Sequence, residues 1–179
     1  IPSAKTVLKD GDIINIDVAI VKDGYFGDTS RMYYVGAVQP EAKRLVETTY
    51  EAMVAGIHAV KPGATLGDIG YAIQTVAQRE GYTIVREYCG HGIGREMHED
   101  PPVFNYGTPD RGLRLRKGMT IAIEPMISAG DWHITCDADQ WCYRTRDRSL
   151  TSHYEHTIAI NEDGLPEILT YPDFKWEDK

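Results

Sequence analysis

Apolar and polar positions alternate along the first part of the chain with the two-residue period of a β-strand. Residues 11–21, "GDIINIDVAIV", are rich in β-branched side chains, and residues 25–35 show a similar pattern. The Asp23-Gly24 pair between the two segments is typical of a two-residue hairpin turn. We therefore predict an antiparallel β-hairpin in this part of the chain.

The next apolar positions recur with a helical period and predict two helices. The first helix covers residues 39–60 and ends at the Lys-Pro-Gly sequence of residues 61–63. The second helix runs from an N-cap at Thr65 to about Glu80, and Gly81 ends it.

Strand patterns return in the remainder of the chain. The predicted strands are 82–88, 118–128 and 152–164, and residues 132–145 are predicted to form a hairpin that turns near residues 138–140. Strands followed by two helices and then by further strands indicate an α+β fold with a mainly antiparallel sheet. A length of 179 residues suits one domain with its own core, so we expect a single domain over residues 1–179.

One segment stands out from these elements: "YCGHGIGREMHEDPPVFNY", residues 88–106. Its three glycines allow the backbone to turn freely and to approach a ligand, and its double proline lacks two backbone donors. We predict a rigid loop, because these residues oppose a helix. The two histidines in it, His91 and His98, are candidates for a functional site, and the simpler alternative is a surface loop with ordinary histidines.

Composition narrows the classes of function. The net charge of −8, from 19 basic and 27 acidic residues, argues against nucleic acid or an anionic membrane as the main partner. No apolar run approaches the roughly 20 residues that span a bilayer, and no secretion leader is expected. Three cysteines, Cys89, Cys136 and Cys142, are expected to be reduced thiols, as is usual in the cytoplasm, where we expect this protein.

Four acidic residues occupy strand segments that are otherwise apolar. Asp17, Asp28, Glu124 and Glu155 each interrupt or border such a run. An unpaired buried carboxylate is costly, so it normally has a partner or binds a metal. Taken singly, each acid could lie at a strand end or a sheet edge, and Glu155 could pair with an arginine such as Arg144. Four such acids together are harder to explain in this way.

The predicted hairpin brings two of these acids together. A two-residue turn at Asp23-Gly24 pairs Asp17 with Ser30, and Asp28 shares a sheet face with Ser30 because side chains alternate faces. Two neighbouring carboxylates repel each other unless a cation joins them or one is protonated. With the other two acids and His91, they form a ligand set of oxygen atoms and one imidazole. Such a set suits Mn, Fe, Co or Zn, and bridging carboxylates would allow two ions.

These motifs resemble the type I methionine aminopeptidases. The similarity lies in the glycine-rich segment 88–106 and in "NIDVAIVKDGYFGDTS", "TIAIEPM" and "DRSLTSHYEHTIAI", and it extends from residue 1 to about residue 170. The short interval from His91 to Glu124 favours type I, because type II enzymes have a domain inserted there. The resemblance implies the pita-bread fold, a curved antiparallel sheet backed by helices with pseudo-twofold halves, and hydrolytic removal of N-terminal methionine.

The resemblance also implies roles for individual residues. The five metal ligands would be Asp17, Asp28, His91, Glu124 and Glu155. Asp28 and Glu155 would bridge two ions, while Asp17 would bind one ion and His91 the other. Glu124 would in addition be the general base.

Further residues would act on the substrate. His98 would contact the substrate and steady the tetrahedral intermediate, and Met97 and Trp141 would line the methionine pocket, although position 97 is usually aromatic in the family. Family members also have a segment before the position of Ile1 that supplies pocket side chains and a second catalytic histidine. We therefore expect this chain to be N-terminally truncated relative to the family.

Other functions remain open at this stage. They are an Xaa-Pro peptidase relative, a non-catalytic pita-bread protein that binds partners or RNA, and a truncated, inactive fragment.

The expected partners are N-termini of peptides or nascent proteins, with a ribosome contact also compatible, and the protein is expected to be a monomer. The other histidines show no pattern and are predicted to be ordinary surface or supporting residues: His58, His133, His153 and His156.

Overall fold

A computed structural model of the protein describes residues 3–171. Residues 1–2 and 172–179, the two ends of the predicted domain, lie outside the described residues. The two helices are α1 (Pro40–His58) and α2 (Leu66–Arg79). The strands are β1 (Ile13–Lys22), β2 (Tyr25–Tyr34), β3 (Thr83–Ile84), β4 (Gly90–Gly92), β5 (Glu99–Val103), β6 (Thr120–Ile123), β7 (Met126–Ser128), β8 (Ile134–Cys136), β9 (Tyr143–Thr145), β10 (Thr151–His153), β11 (Glu155–Ile160) and β12 (Pro166–Ile168).

The strands form three antiparallel sheets within the described residues. The largest has the order β1-β2-β11-β6-β4-β5, with β12 paired to β11. A second sheet has the order β10-β7-β3, and β8 pairs with β9 as a separate hairpin. This arrangement confirms the predicted α+β class and the antiparallel pairing.

The first hairpin has the register predicted from its turn. Lys22 pairs with Tyr25, and Asp17 pairs with Ser30. Asp23 and Gly24 both have positive φ, at 53° and 79°, as the favoured two-residue hairpin turn requires. The turn therefore fixes which side chains of β1 and β2 face each other.

Both helices cover the sheets and form the core with them. α1 packs against β6, β7 and β10, whereas α2 packs against β3 and β5. The core contains buried side chains from the helices and from the strands, among them Leu45, Met53, Ile57, Ile69, Ile73, Ile121, Ile123, Ile127 and Ile158. No helix in the described part of the chain is long and apolar enough to cross a membrane.

The structure corrects the prediction for residues 88–106. Two short strands, β4 and β5, replace the predicted loop, and the cis peptide bond between Asp100 and Pro101 lies within β5. A Cβ atom on Gly90 would lie 2.2 Å from the Ala122 carbonyl oxygen of β6. The glycine is thus required by the close approach of neighbouring strands rather than by backbone flexibility.

Two predicted strands are also interrupted. The strand predicted over 118–128 is divided into β6 and β7 at Glu124-Pro125, and the one predicted over 152–164 is divided at Tyr154. Pro125 has no backbone donor for a ladder, which agrees with a break at this point. The strand predicted over 82–88 is limited to Thr83–Ile84, and β12 was not predicted.

Candidate metal centre

Two groups of possible metal ligands adjoin each other where the large sheet meets the second sheet. One group is Asp28, His91 and Glu155, and the other is Glu124, His153 and Glu155. Within each group the ligand atoms lie within 4.8 Å of one another. Glu155 belongs to both groups, so the structure brings four of the five predicted ligands into one cluster together with His153.

Adjacent strands hold the two central carboxylates. Asp28 lies on β2, and Glu155 begins β11, where it pairs with Ser30 of β2. The Asp28 backbone N–H donates to Thr157 Oγ1 at 3.1 Å, and Thr157 Oγ1 donates to the Asp28 carbonyl at 2.8 Å. This pair of hydrogen bonds ties β2 to β11 directly beside the two carboxylates.

His91 and Glu124 face each other from β4 and from the break after β6. His91 Nδ1 lies 2.8 Å from the Gly92 carbonyl oxygen, and its Nε2 lies 3.4 Å from Glu124 Oε1. The Asn105 side chain donates to the Glu124 carbonyl oxygen at 3.0 Å. The interruption of the strand at Pro125 therefore positions Glu124 at the cluster.

Asp17 adjoins the cluster from β1. Its pairing with Ser30 leaves it diagonal to Asp28, as predicted. Burial raises the pKa of the Asp17 carboxyl. The interaction with His153 lowers this pKa, and repulsion from Asp28 and Glu124 raises it further. All five predicted ligands therefore lie in one region of the molecule.

The electrostatics of this cluster favour a bound cation. Burial raises the pKa of Glu155 to about 10, and repulsion from Glu124, Asp28 and Asp17 adds to that shift. Asp28 and Glu155 are 3% and 2% exposed, and Asp28 Oδ1 and Glu155 Oε1 have no hydrogen-bond partner. Carboxylate oxygens without a partner, among acids that repel each other, suit divalent metal ions. A bound ion would be a partner for these oxygens and would compensate their charge.

The residues predicted to contact the substrate are less closely grouped. The ring centroids of His98 and His91 are 4.4 Å apart, so the exposed His98 lies at the edge of the cluster. Met97 is half-buried beside it. Trp141 is 68% exposed in the turn between β8 and β9. The roles of these three residues stay predictions.

One residue of the cluster was missed from the sequence. His153 was predicted to be an ordinary surface or supporting residue, but the structure places it within the second ligand group. The available signal was its position two residues before Glu155, which places both side chains on one face of an extended segment. His156 differs, because its Nδ1 lies 2.8 Å from Thr170 Oγ1, and Arg144 pairs with Asp137 at 2.7 Å rather than with Glu155.

Comparison with protein families identifies similar sequences over almost the whole chain. The model of metallopeptidase family M24 matches residues 1–162. The methionine aminopeptidase of Rickettsia prowazekii is 51% identical over 97% of this chain and 70% of its own length. That of Salmonella typhimurium is 52% identical over 95% of this chain, and the chain spans only 64% of that relative's length.

Solved structures extend the similarity to the fold. The methionine aminopeptidase of Thermotoga maritima has a TM-score of 0.92 and 47% identity, covering 95% of this chain and 68% of that one. A prolidase from Pyrococcus horikoshii has a TM-score of 0.73 and 27% identity, covering 94% and 42%. The predicted pita-bread fold and the predicted resemblance to methionine aminopeptidases are thereby confirmed.

Proposed function

Because the chain belongs to metallopeptidase family M24, we propose that it removes N-terminal methionine by hydrolysing the first peptide bond of peptides and nascent proteins. The observation that carries this proposal is the convergence of Asp28, His91, Glu124 and Glu155 in a chain that is 51% identical to a methionine aminopeptidase. Identity to the prolidases is much lower, so an Xaa-Pro substrate is not favoured.

The proposed cofactor is a pair of divalent ions, with Mn, Fe, Co and Zn all compatible with the ligands. Glu155 belongs to both ligand groups and Asp28 lies beside it on the neighbouring strand, so these two would bridge the ions, while Asp17, His91 and Glu124 would complete the ligand set. When bound, such a pair supplies a Lewis acid for the substrate carbonyl and lowers the pKa of water towards neutrality.

The side chains around the cluster suit the remaining steps. Glu124 would accept the proton of the attacking water and pass it to the leaving amine. His98, next to His91, would donate a hydrogen bond to the oxyanion of the tetrahedral intermediate. Only the first peptide bond would be cut if the free amine of the substrate lies against the acidic cluster.

Specificity and partners follow as further parts of the proposal. Met97 and Trp141 would line a methionine pocket, since a thioether and an aromatic ring both suit an unbranched apolar side chain. A small second residue in the substrate would be preferred. The expectations of a monomer, of a cytoplasmic location and of a ribosome contact stay predictions.

Ligand and substrate substitutions test the proposal together. Asp28→Asn and Glu155→Gln should each abolish stoichiometric metal binding and turnover of a Met-Gly-type peptide, whereas His98→Ala should retain the metal and lose at least about 100-fold in kcat. Metal content by elemental analysis and peptide hydrolysis are measured on the same samples.

Each alternative has a distinct outcome in this experiment. Full metal content in both bridging variants would overturn the two-ion assignment. Metal binding without hydrolysis in the unsubstituted chain would favour the inactive fragment, and hydrolysis of Xaa-Pro but not Met-Gly peptides would favour a prolidase-like enzyme. Unchanged turnover in His98→Ala would leave this histidine with a structural role only.

A further inference from the structure

The Glu124 carboxylate lies between two imidazoles rather than beside one. Its Oε1 is 3.4 Å from His91 Nε2, and its Oε2 is 3.4 Å from His153 Nε2. Each histidine also belongs to a separate ligand group, and Glu155 is the member that both groups share. The cluster therefore has one imidazole on each side.

Each imidazole has a polar partner at its outer nitrogen. His91 Nδ1 lies 2.8 Å from the Gly92 carbonyl oxygen, which can only accept, so Nδ1 is the donor in this contact and Nε2 is the nitrogen that faces the cluster. His153 Nδ1 lies 3.4 Å from Ser30 Oγ, and the Asn15 side chain donates a hydrogen bond to that oxygen at 2.6 Å. A polar partner on the outer nitrogen helps to hold the ring of a metal-binding histidine in its orientation.

The inner nitrogen of His153, Nε2, has a charged neighbour but no hydrogen bond. It is buried and has no hydrogen-bond partner, because its 3.4 Å approach to Glu124 lacks hydrogen-bond geometry. Buried polar atoms without partners are rare in folded proteins and call for an explanation. A buried imidazole nitrogen that faces two carboxylates without a hydrogen bond is explained most directly by a cation bound between them.

We propose that His153 is a sixth metal-binding residue, whose Nε2 ligates the ion on the side of the cluster formed by Glu124 and Glu155. This inference rests on the metal centre of the proposed function. A second imidazole in an oxygen-rich site shifts preference towards Co²⁺ and Zn²⁺ and away from Mn²⁺, which favours oxygen ligands. His153 would therefore influence which metal the protein selects.

Calorimetric titrations with Co²⁺ alone and with Mn²⁺ alone test this assignment. His153→Gln should weaken Co²⁺ binding at one of the two metal sites by at least about tenfold. Mn²⁺ binding should be weakened less. His133→Gln is the matched control, since His133 pairs with Asp131 outside the cluster. Circular dichroism of the metal-free proteins checks that each variant is folded.

A measurement on the unsubstituted protein does not depend on how the variant folds. In the proton NMR spectrum of the Co²⁺-loaded protein, each ligating histidine gives one strongly shifted, exchangeable Nδ1–H signal. Two signals are expected, and one should disappear in His153→Gln. A single signal, or unchanged Co²⁺ affinity in the folded variant, would overturn the role of His153 and leave the proposed function intact. If the unsubstituted protein binds no Co²⁺, the metal centre itself is wrong.

Discussion

At the scale of single residues, Glu155 is the side chain whose state depends most on a bound metal. Its pKa is raised from an ordinary 4.5 to about 10 by burial and then by its acidic neighbours, so the metal-free protein holds Glu155 protonated at neutral pH. A divalent ion must displace that proton to bind. Metal binding at pH 7 should therefore release about one proton from this site, in addition to any from bound water.

The same shift predicts how the stability of the metal-free protein depends on pH. Because the folded protein binds this proton more tightly than the unfolded chain does, the contribution of Glu155 to stability falls as pH rises from about 4.5 towards 10. The slope is about 1.4 kcal/mol per pH unit for one proton. Urea unfolding in EDTA should show a loss between pH 6 and pH 8 that is absent in Glu155→Gln. An equal loss in both proteins would contradict this assignment.

At the scale of elements, the accuracy of sequence-based prediction depended on how local the decisive signal is. The β1–β2 hairpin was predicted in its correct register because Asp23-Gly24 specifies the length and geometry of the turn. Residues 88–106 were predicted to be a loop because glycines and prolines disfavour strands locally. What forms β4 is its pairing with β5 and β6, and pairing with distant strands leaves little signal in the local pattern.

The close packing of β4 leads to a prediction about its glycines. Gly90→Ala would place a Cβ atom 2.2 Å from the Ala122 carbonyl oxygen, so we expect a loss of about 1–3 kcal/mol in unfolding free energy and weaker metal binding through displaced His91. Gly27→Ala is the control in β2, where the nearest atom to the new Cβ is the Ile20 Cγ1 at 4.0 Å. Equal stability of the two variants by urea unfolding would rule out this explanation.

At the scale of the whole molecule, the site could be predicted from sequence only in part. The acidic ligands are predictable because each interrupts or borders an apolar strand segment, and a buried carboxylate needs a partner wherever it lies. These residues are Asp17, Asp28, Glu124 and Glu155. His153 does not interrupt an apolar run, and its one signal in the sequence is its position two residues before Glu155. His153 reaches the ligand cluster because β10 ends at this residue and Ser30 of β2 faces it. Both features belong to the tertiary structure.

The distribution of these ligands also predicts that the metal stabilises the entire fold. Asp17 and Glu155 lie far apart in the chain, and the cluster with Asp17 beside it joins β1, β2, β4, β10, β11 and the segment after β6. One ion bound at 100 times its Kd adds about 2.7 kcal/mol to the free energy of unfolding, which corresponds to a rise in Tm of roughly 5 to 10 °C for a chain of this size.

Thermal unfolding followed by circular dichroism, with Co²⁺ and with EDTA, measures this rise. Asp28→Asn should remove it, because that variant loses a carboxylate common to the proposed pair. A rise that persists in Asp28→Asn would mean that the ion binds elsewhere on this acidic protein.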